Sequence, residues 1–166
     1  MGSSGVVMSE LRPASAFLGV HCHVVDVKGR VSIPSSFRAQ LGDSFVLSNF
    51  IRQGVRCLDG YSRQDWGELV SNLKSKGRFN SNVAALETYF FSRAVVCELD
   101  SSGRFIIPAF LREYAGIKDE IAIVGALHGF RIWERKVWEM VFSQAEAAVV
   151  EDPGIFEGID LNEKSL

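Results

Sequence analysis

The sequence predicts an α+β protein built from two copies of one strand-rich unit, and three observations predict it. The segment Asp26 to Arg38 recurs 74 residues later as Asp100 to Arg112. Six of its 13 positions are identical (the Asp, Gly, first Arg, Ile, Pro and last Arg), where average composition would give roughly one. Farther on, Tyr61-x4-Trp66 matches Trp133-x4-Trp138 at an offset of 72, so the intervening loops differ by two residues. Between these landmarks, short alternating runs bounded by glycine and proline give way to stretches of helical period.

The elements follow in order. Residues 1–16 are small and mixed, without sustained periodicity, and predict a flexible N-terminal extension. The first unit is expected over residues 20–63. Alternation from His21 to Asp26 predicts a strand, Gly29 a turn, and Val31 with Ile33 one face of a second short strand. Pro34 opens a short helix, pinned to the core by the i,i+4 pair Phe37 and Leu41. Two more strands lie near Phe45–Ile51 and Val55–Tyr61. Connecting helices occupy 64–93. One carries Trp66, Leu69, Val70 and Leu73 at helical spacing; the other runs from Asn80 to Phe91 with Val83, Leu86 and Phe90 on one side.

The second unit, residues 94–137, repeats the plan. A strand runs from Val95 to Asp100, Gly103 turns the chain, and Phe105 and Ile107 share a face. Pro108 opens a helix held by Leu111 and Ala115, and strands follow near Ile121–Ala126 and Phe130–Trp133. Residues 138–166 hold a terminal helix, with Trp138, Val141, Phe142 and Ala145 on one side, then a loose acidic tail.

Composition narrows the function classes. With 47% hydrophobic residues over 166 positions, the chain is too apolar for a disordered protein and long enough to bury a core. No run reaches the roughly 18 apolar residues of a membrane span. Three cysteines at irregular spacing make no disulfide framework and suit a reducing cytoplasm. The net charge of −2 hides a division: residues 146–166 carry six acids and one base, while residues 1–145 carry 17 bases and 14 acids. Any nucleic-acid-binding patch must therefore be local.

The repeated Asp-x-x-Gly-Arg-x-x-x-Pro explains most of itself. Asp26 and Asp100 can accept turn N–H bonds, Gly29 and Gly103 tolerate positive φ, and Pro34 and Pro108 end the strand. Arg30 and Arg104 remain, either paired with the turn aspartate or projecting into solvent. Lys28 aligns with Ser102, so the first turn is the more basic. Arg38 and Arg112, after the prolines, are phosphate anchors or helix-to-core ion pairs; both readings stand.

Other chemistries fare poorly. In His21-Cys22-His23 the histidines share one strand face and the cysteine takes the other. Paired zinc-ligand spacing is absent, so no metal is expected. The chain carries no Gly-x-Ser-x-Gly elbow, P-loop or dinucleotide glycine pattern. No catalytic residue, cofactor or small-molecule substrate is expected, and no membrane association.

Taken together, the paired motifs, Phe17-x-Gly19 upstream, and Val124-Gly125 to Ile132-Trp133 downstream resemble the MraZ family of bacterial transcriptional regulators, from about Phe17 to Phe142. The resemblance implies two AbrB/SpoVT-type units that interleave into one pseudo-twofold, swapped-hairpin β-barrel with peripheral helices. It implies a ring-shaped homo-oligomer, cytoplasmic and nucleoid-associated. Such a ring binds repeated boxes in double-stranded promoter DNA ahead of the division and cell-wall gene cluster that includes its own gene, usually as a repressor. The family determinant falls on Asp26/Arg30 and Asp100/Arg104, with Lys28 beside Arg30. Two positions depart from the family pattern: Thr88 replaces an arginine before Tyr89-Phe90-Phe91, and Arg131 replaces an acid in Phe130-Arg131-Ile132-Trp133. These read as linked losses of one ion pair. The competing reading is a scaffold that assembles on protein partners without DNA, which leaves the two arginine turns without a task.

Overall fold

Eight strands and five α-helices follow one another over residues 17–157, the part of the chain that this computed structural model describes. The extension expected over 1–16 and the end of the acidic tail, 158–166, lie outside the described residues. In chain order the elements are β1 (Val20–Val24), β2 (Arg30–Ser32), α1 (Ser35–Leu41), β3 (Ser44–Arg52), β4 (Val55–Ser62), α2 (Arg63–Ser75) and α3 (Ser81–Tyr89). After a 3-10 turn at Phe91–Arg93 come β5 (Val95–Glu98), β6 (Arg104–Ile106), α4 (Ala109–Ala115), β7 (Glu120–Ala126), β8 (Gly129–Glu134) and α5 (Arg135–Glu151). Two compact units meet at the Glu134–Arg135 junction, and the first holds every strand. The second holds α5, where the Trp138 and Phe142 rings stand 6.0 Å apart, and a short 3-10 turn at Pro153–Ile155.

Six strands form one antiparallel sheet in the order β1-β7-β8-β4-β3-β5, and β2 pairs with β6 as a separate ribbon. The repeats interleave. Strand β1 pairs with β7, β3 with β5, β4 with β8 and β2 with β6, each pair joining the first repeat to the second. Exchanging the repeats reads the same sheet order backwards, so the two copies are related by a pseudo-twofold axis. That axis crosses the β4–β8 pairing where Asp59 faces Arg131. The two residues are 72 apart and occupy equivalent places in the repeats.

The α+β class and the two-unit plan hold, but the sheet does not close into the expected barrel. It ends at edge strands β1 and β5. β2 and β6, three residues each, pair with one another and not with the sheet. Ile33 N–H donates to the Gly103 carbonyl and Ile107 N–H to the Gly29 carbonyl, both at 2.9 Å, and Pro34 and Pro108 then offer no further donor.

The same pairing builds a core shared by both repeats. Val31 and Phe105 sit opposite each other in the ribbon and are buried beneath it. Phe45 stacks edge-on with Phe105 at 4.9 Å and Phe130 at 5.3 Å. Phe37 and Leu111, the anchors of α1 and α4, are fully buried, each contributing about 1.5–3 kcal/mol by leaving water. Pro34 and Pro108 stand one step before their helices, at the N-cap. Their carbonyls accept the first helical N–H groups, from Phe37 and Arg38 and from Leu111 and Arg112. The connecting helix expected to reach Phe91 stops at Tyr89, because Phe90 turns inward and packs on Trp66 at 5.5 Å.

Candidate nucleic-acid interface

Each repeated turn is organised around one carboxylate. Asp26 Oδ1 accepts the backbone N–H groups of Lys28 and Arg30, both at 2.9 Å, and Oδ2 accepts Arg30 Nε–H at 2.6 Å. Asp100 does the same with Ser102 and Arg104, at 2.9, 2.9 and 3.0 Å. Gly29 and Gly103 sit at φ 82° and 75°, where a side chain would strain the backbone. Donation from the Arg30 backbone and then its side chain holds the Asp26 carboxyl below the ordinary aspartate value. Asp100 is lowered too, first by the Arg104 backbone N–H.

Of the two readings left open for the arginines, the structure shows the ion pair within the turn. It does not consume the guanidinium. Arginine carries five N–H donors, so an acid seated on Nε leaves others for a second acceptor. The side chains of Arg30 and Arg104 are 39% and 44% exposed. Pairs this exposed add little stability; what they set is orientation.

The ribbon brings the two arginines together. In its register Arg30 faces Ile106 and Ser32 faces Arg104, while Val31 and Phe105 point to the core. Side chains alternate along a strand, so Arg30, Ser32, Arg104 and Ile106 share the outer face. Arg30 and Arg104 are diagonal neighbours there, about 7–8 Å apart at the backbone. Beside this face stand the exposed Lys28 and the fully solvated Val27. Ile106, 56% exposed, and Ser32 belong to this surface and are not evident from the motif. The period-two pattern of Phe105 and Ile107 was the signal, since it turns Ile106 outward.

The other expected residues are placed as follows. Arg38 Nη2 donates to the Ser101 carbonyl at 3.2 Å, and Arg112 Nε to the Ile107 carbonyl at 3.0 Å. Among the described residues neither forms a helix-to-core ion pair. His21 is engaged with the Leu18 carbonyl at 3.1 Å and stacks on Phe37. Burial, with help from His21, lowers the pKa of His23. Among the described residues no three His, Cys, Asp or Glu side chains gather as metal ligands, and no helix is long and apolar enough to cross a membrane. Arg131 has a partner that the sequence reading missed: its Nε donates at 3.0 Å to the buried Asp59, whose other oxygen accepts from Tyr61 at 2.9 Å. Burial raises the Asp59 pKa against the pull of Arg131 and Tyr61. Thr88 turns back onto its own helix, at the Ala84 carbonyl.

A protein-family model described as "MraZ protein, putative antitoxin-like" matches residues 16–88 and 90–153, one match over each repeat. This chain belongs to the MraZ family. It is similar to the transcriptional regulator MraZ of Alkaliphilus oremlandii, 44% identical over 123 residues, covering 74% of this chain and 84% of the relative. The protein of that name from Caldicellulosiruptor saccharolyticus is 37% identical over 132 residues, or 80% of this chain and 90% of its own. The Ligilactobacillus salivarius protein is 37% identical over 130 residues, 78% and 89% of the two chains. These MraZ proteins are named as regulators of transcription, and the family is not one of enzymes.

Proposed function

We propose that this chain is a sequence-specific DNA-binding regulator of transcription that represses the division and cell-wall gene cluster containing its own gene. It acts in the cytoplasm, on the nucleoid, as a ring-shaped homo-oligomer that engages several boxes of promoter DNA. The observation that carries the reading is the outer face of the β2–β6 ribbon, where two aspartate-held arginines stand side by side. A two-stranded ribbon fits the major groove, and arginine pairs bidentately with guanine O6 and N7. Arg30 and Arg104 take the base edges; Lys28 takes a phosphate. Asp26 and Asp100 fix the guanidinium planes before DNA arrives.

One ribbon makes few contacts, and a single protomer binds weakly. Protomers joined in an oligomer meet successive boxes at high effective concentration, which multiplies affinity without adding contacts. The relatives' name supports the regulatory role; the ring, the repeated boxes and the target cluster follow from the family resemblance. Fluorescence anisotropy with DNA from upstream of the protein's own gene, against shuffled DNA at two salt concentrations, tests the reading. Selective binding that weakens steeply with salt, and drops about tenfold or more in folded Arg30→Ala and Arg104→Ala variants, is expected. A folded wild type without preference overturns it.

A further inference from the structure

The helix arginines Arg38 and Arg112 are each packed against the turn of the other repeat. A Cβ built on Gly29 would stand 3.0 Å from both Nε and Cζ of Arg112, and one on Gly103 would stand 2.9 Å from Nη1 of Arg38. Each guanidinium therefore occupies the space that the absent side chain leaves open. The hydrogen bonds run the same way. Arg112 Nε holds the Ile107 carbonyl, and the N–H of Ile107 donates to the carbonyl of Gly29. Arg38 Nη2 holds the carbonyl of Ser101, two residues before Gly103. The repeats interleave, so α4 of the second supports the turn that carries Lys28 and Arg30, and α1 of the first supports the turn that carries Arg104.

We infer that Arg38 and Arg112 are crossed positioning residues for DNA reading, Arg112 holding the Arg30 turn and Arg38 the Arg104 turn, and are not phosphate anchors. The inference rests on the DNA-binding reading above. For Arg112, partial burial and an Nε bond that ends on a backbone carbonyl favour support; Arg38 is exposed, and its case rests on the Ser101 carbonyl and on the space its guanidinium fills beside Gly103. A turn that shifts without its buttress carries the reading arginine away from its base, and a good bidentate contact is worth about 1–3 kcal/mol of discrimination.

The test measures affinity for a box and for all its single-base variants, as a function of salt, in full-length wild type and variants. Arg112→Ala is expected to lose discrimination, about tenfold, at the base pair where Arg30→Ala loses it. Its affinity for random DNA and its salt slope stay as in wild type. Arg38→Ala is expected to copy Arg104→Ala in the same way. Lys28→Ala is the contrast: weaker on every sequence, with the slope of log K against log salt reduced by about 0.9. Should Arg112→Ala fold poorly, Arg112→Lys decides the matter. It keeps the charge that a phosphate needs but not the guanidinium that fills the space beside Gly29, so the inference predicts lost discrimination with the random-DNA affinity intact. Uniform weakening with a reduced slope, or Arg112→Lys behaving as wild type, overturns the inference while leaving the DNA reading in place. A wild type that discriminates no base overturns both.

Discussion

At the scale of single residues, Asp26 and Asp100 do the organising. Each carboxylate accepts two backbone N–H groups and one arginine Nε–H, and all three bonds favour the charged form. The sign of the pH dependence follows. A carboxyl whose folded pKa lies below its unfolded value contributes stability above the unfolded pKa, and that contribution fades as pH falls through the folded value. Both turns should hold their arginines unchanged from pH 7 to pH 5. Carbon-detected NMR titration is expected to give Asp26 and Asp100 midpoints below the ordinary aspartate value of about 3.9; ordinary or raised midpoints would count against the turn geometry. Asp26→Asn keeps an acceptor oxygen but loses the charge. It should cost about tenfold in selective DNA binding, through Arg30, while leaving the thermal midpoint within a few degrees.

Asp59 carries the opposite sign. Its side chain is 6% exposed against 25% for Arg131, and burial pushes its pKa up despite the pair. The folded state therefore holds a proton more tightly than the unfolded chain. Stability declines as pH rises from the unfolded value through the folded one. Burying an ion pair costs desolvation that its attraction only partly offsets.

The elements show where that pair belongs. β4 and β8 meet at Asp59 and Arg131, on the internal axis, so strictly identical repeats would set two like charges face to face. Arg131→Ala strands a buried carboxylate and is expected to cost about 2–4 kcal/mol in urea unfolding. Replacing both residues by leucine should restore stability to within about 1 kcal/mol of wild type. If the single variant is harmless, the pair is not buried as described. The same strand crossing explains Gly60. A Cβ there would lie 2.2 Å from the Phe130 ring, so Gly60→Ala must displace a core aromatic and should destabilise by about 1–3 kcal/mol; an unchanged urea midpoint would refute that packing.

Legibility in the sequence divides along these lines. The turns were legible, because a carboxylate, a glycine and a proline at fixed spacing have local causes. The inward faces of β2 and β6 were legible from Val31, Ile33, Phe105 and Ile107, since a two-residue period is also local. Pairing between strands has no such signature. Nothing in Asp59 announces Arg131 except the shared offset of 72, and nothing in Arg112 announces Gly29. Both contacts exist only because the repeats interleave. The separate ribbon has the same origin: β2 pairs with β6 across the repeats, and no periodicity states that partner.

In the whole molecule, the proposed reading surface is modest and the chain carries little net charge. The residues before the acidic tail carry 17 bases against 14 acids, too few for tight non-specific binding. On the proposed reading, affinity comes from several protomers on several boxes. The expected outcome is a rise of about 100-fold or more from one box to correctly phased boxes, read by anisotropy at fixed salt. Equal affinity for one box and for several would remove the avidity argument while leaving the ribbon's chemistry untouched.

The central claim is that Arg30 and Arg104 form one reading head. Its most direct test maps base preference with every single-base variant of the box, comparing wild type with Arg30→Ala and Arg104→Ala. Diagonal neighbours about 7–8 Å apart on a ribbon reach bases about two steps apart, at roughly 3.4 Å per step. The two variants are expected to lose discrimination at guanines within about two or three base pairs of each other. Losses about a full helical turn apart, or at no position in either variant, would contradict it.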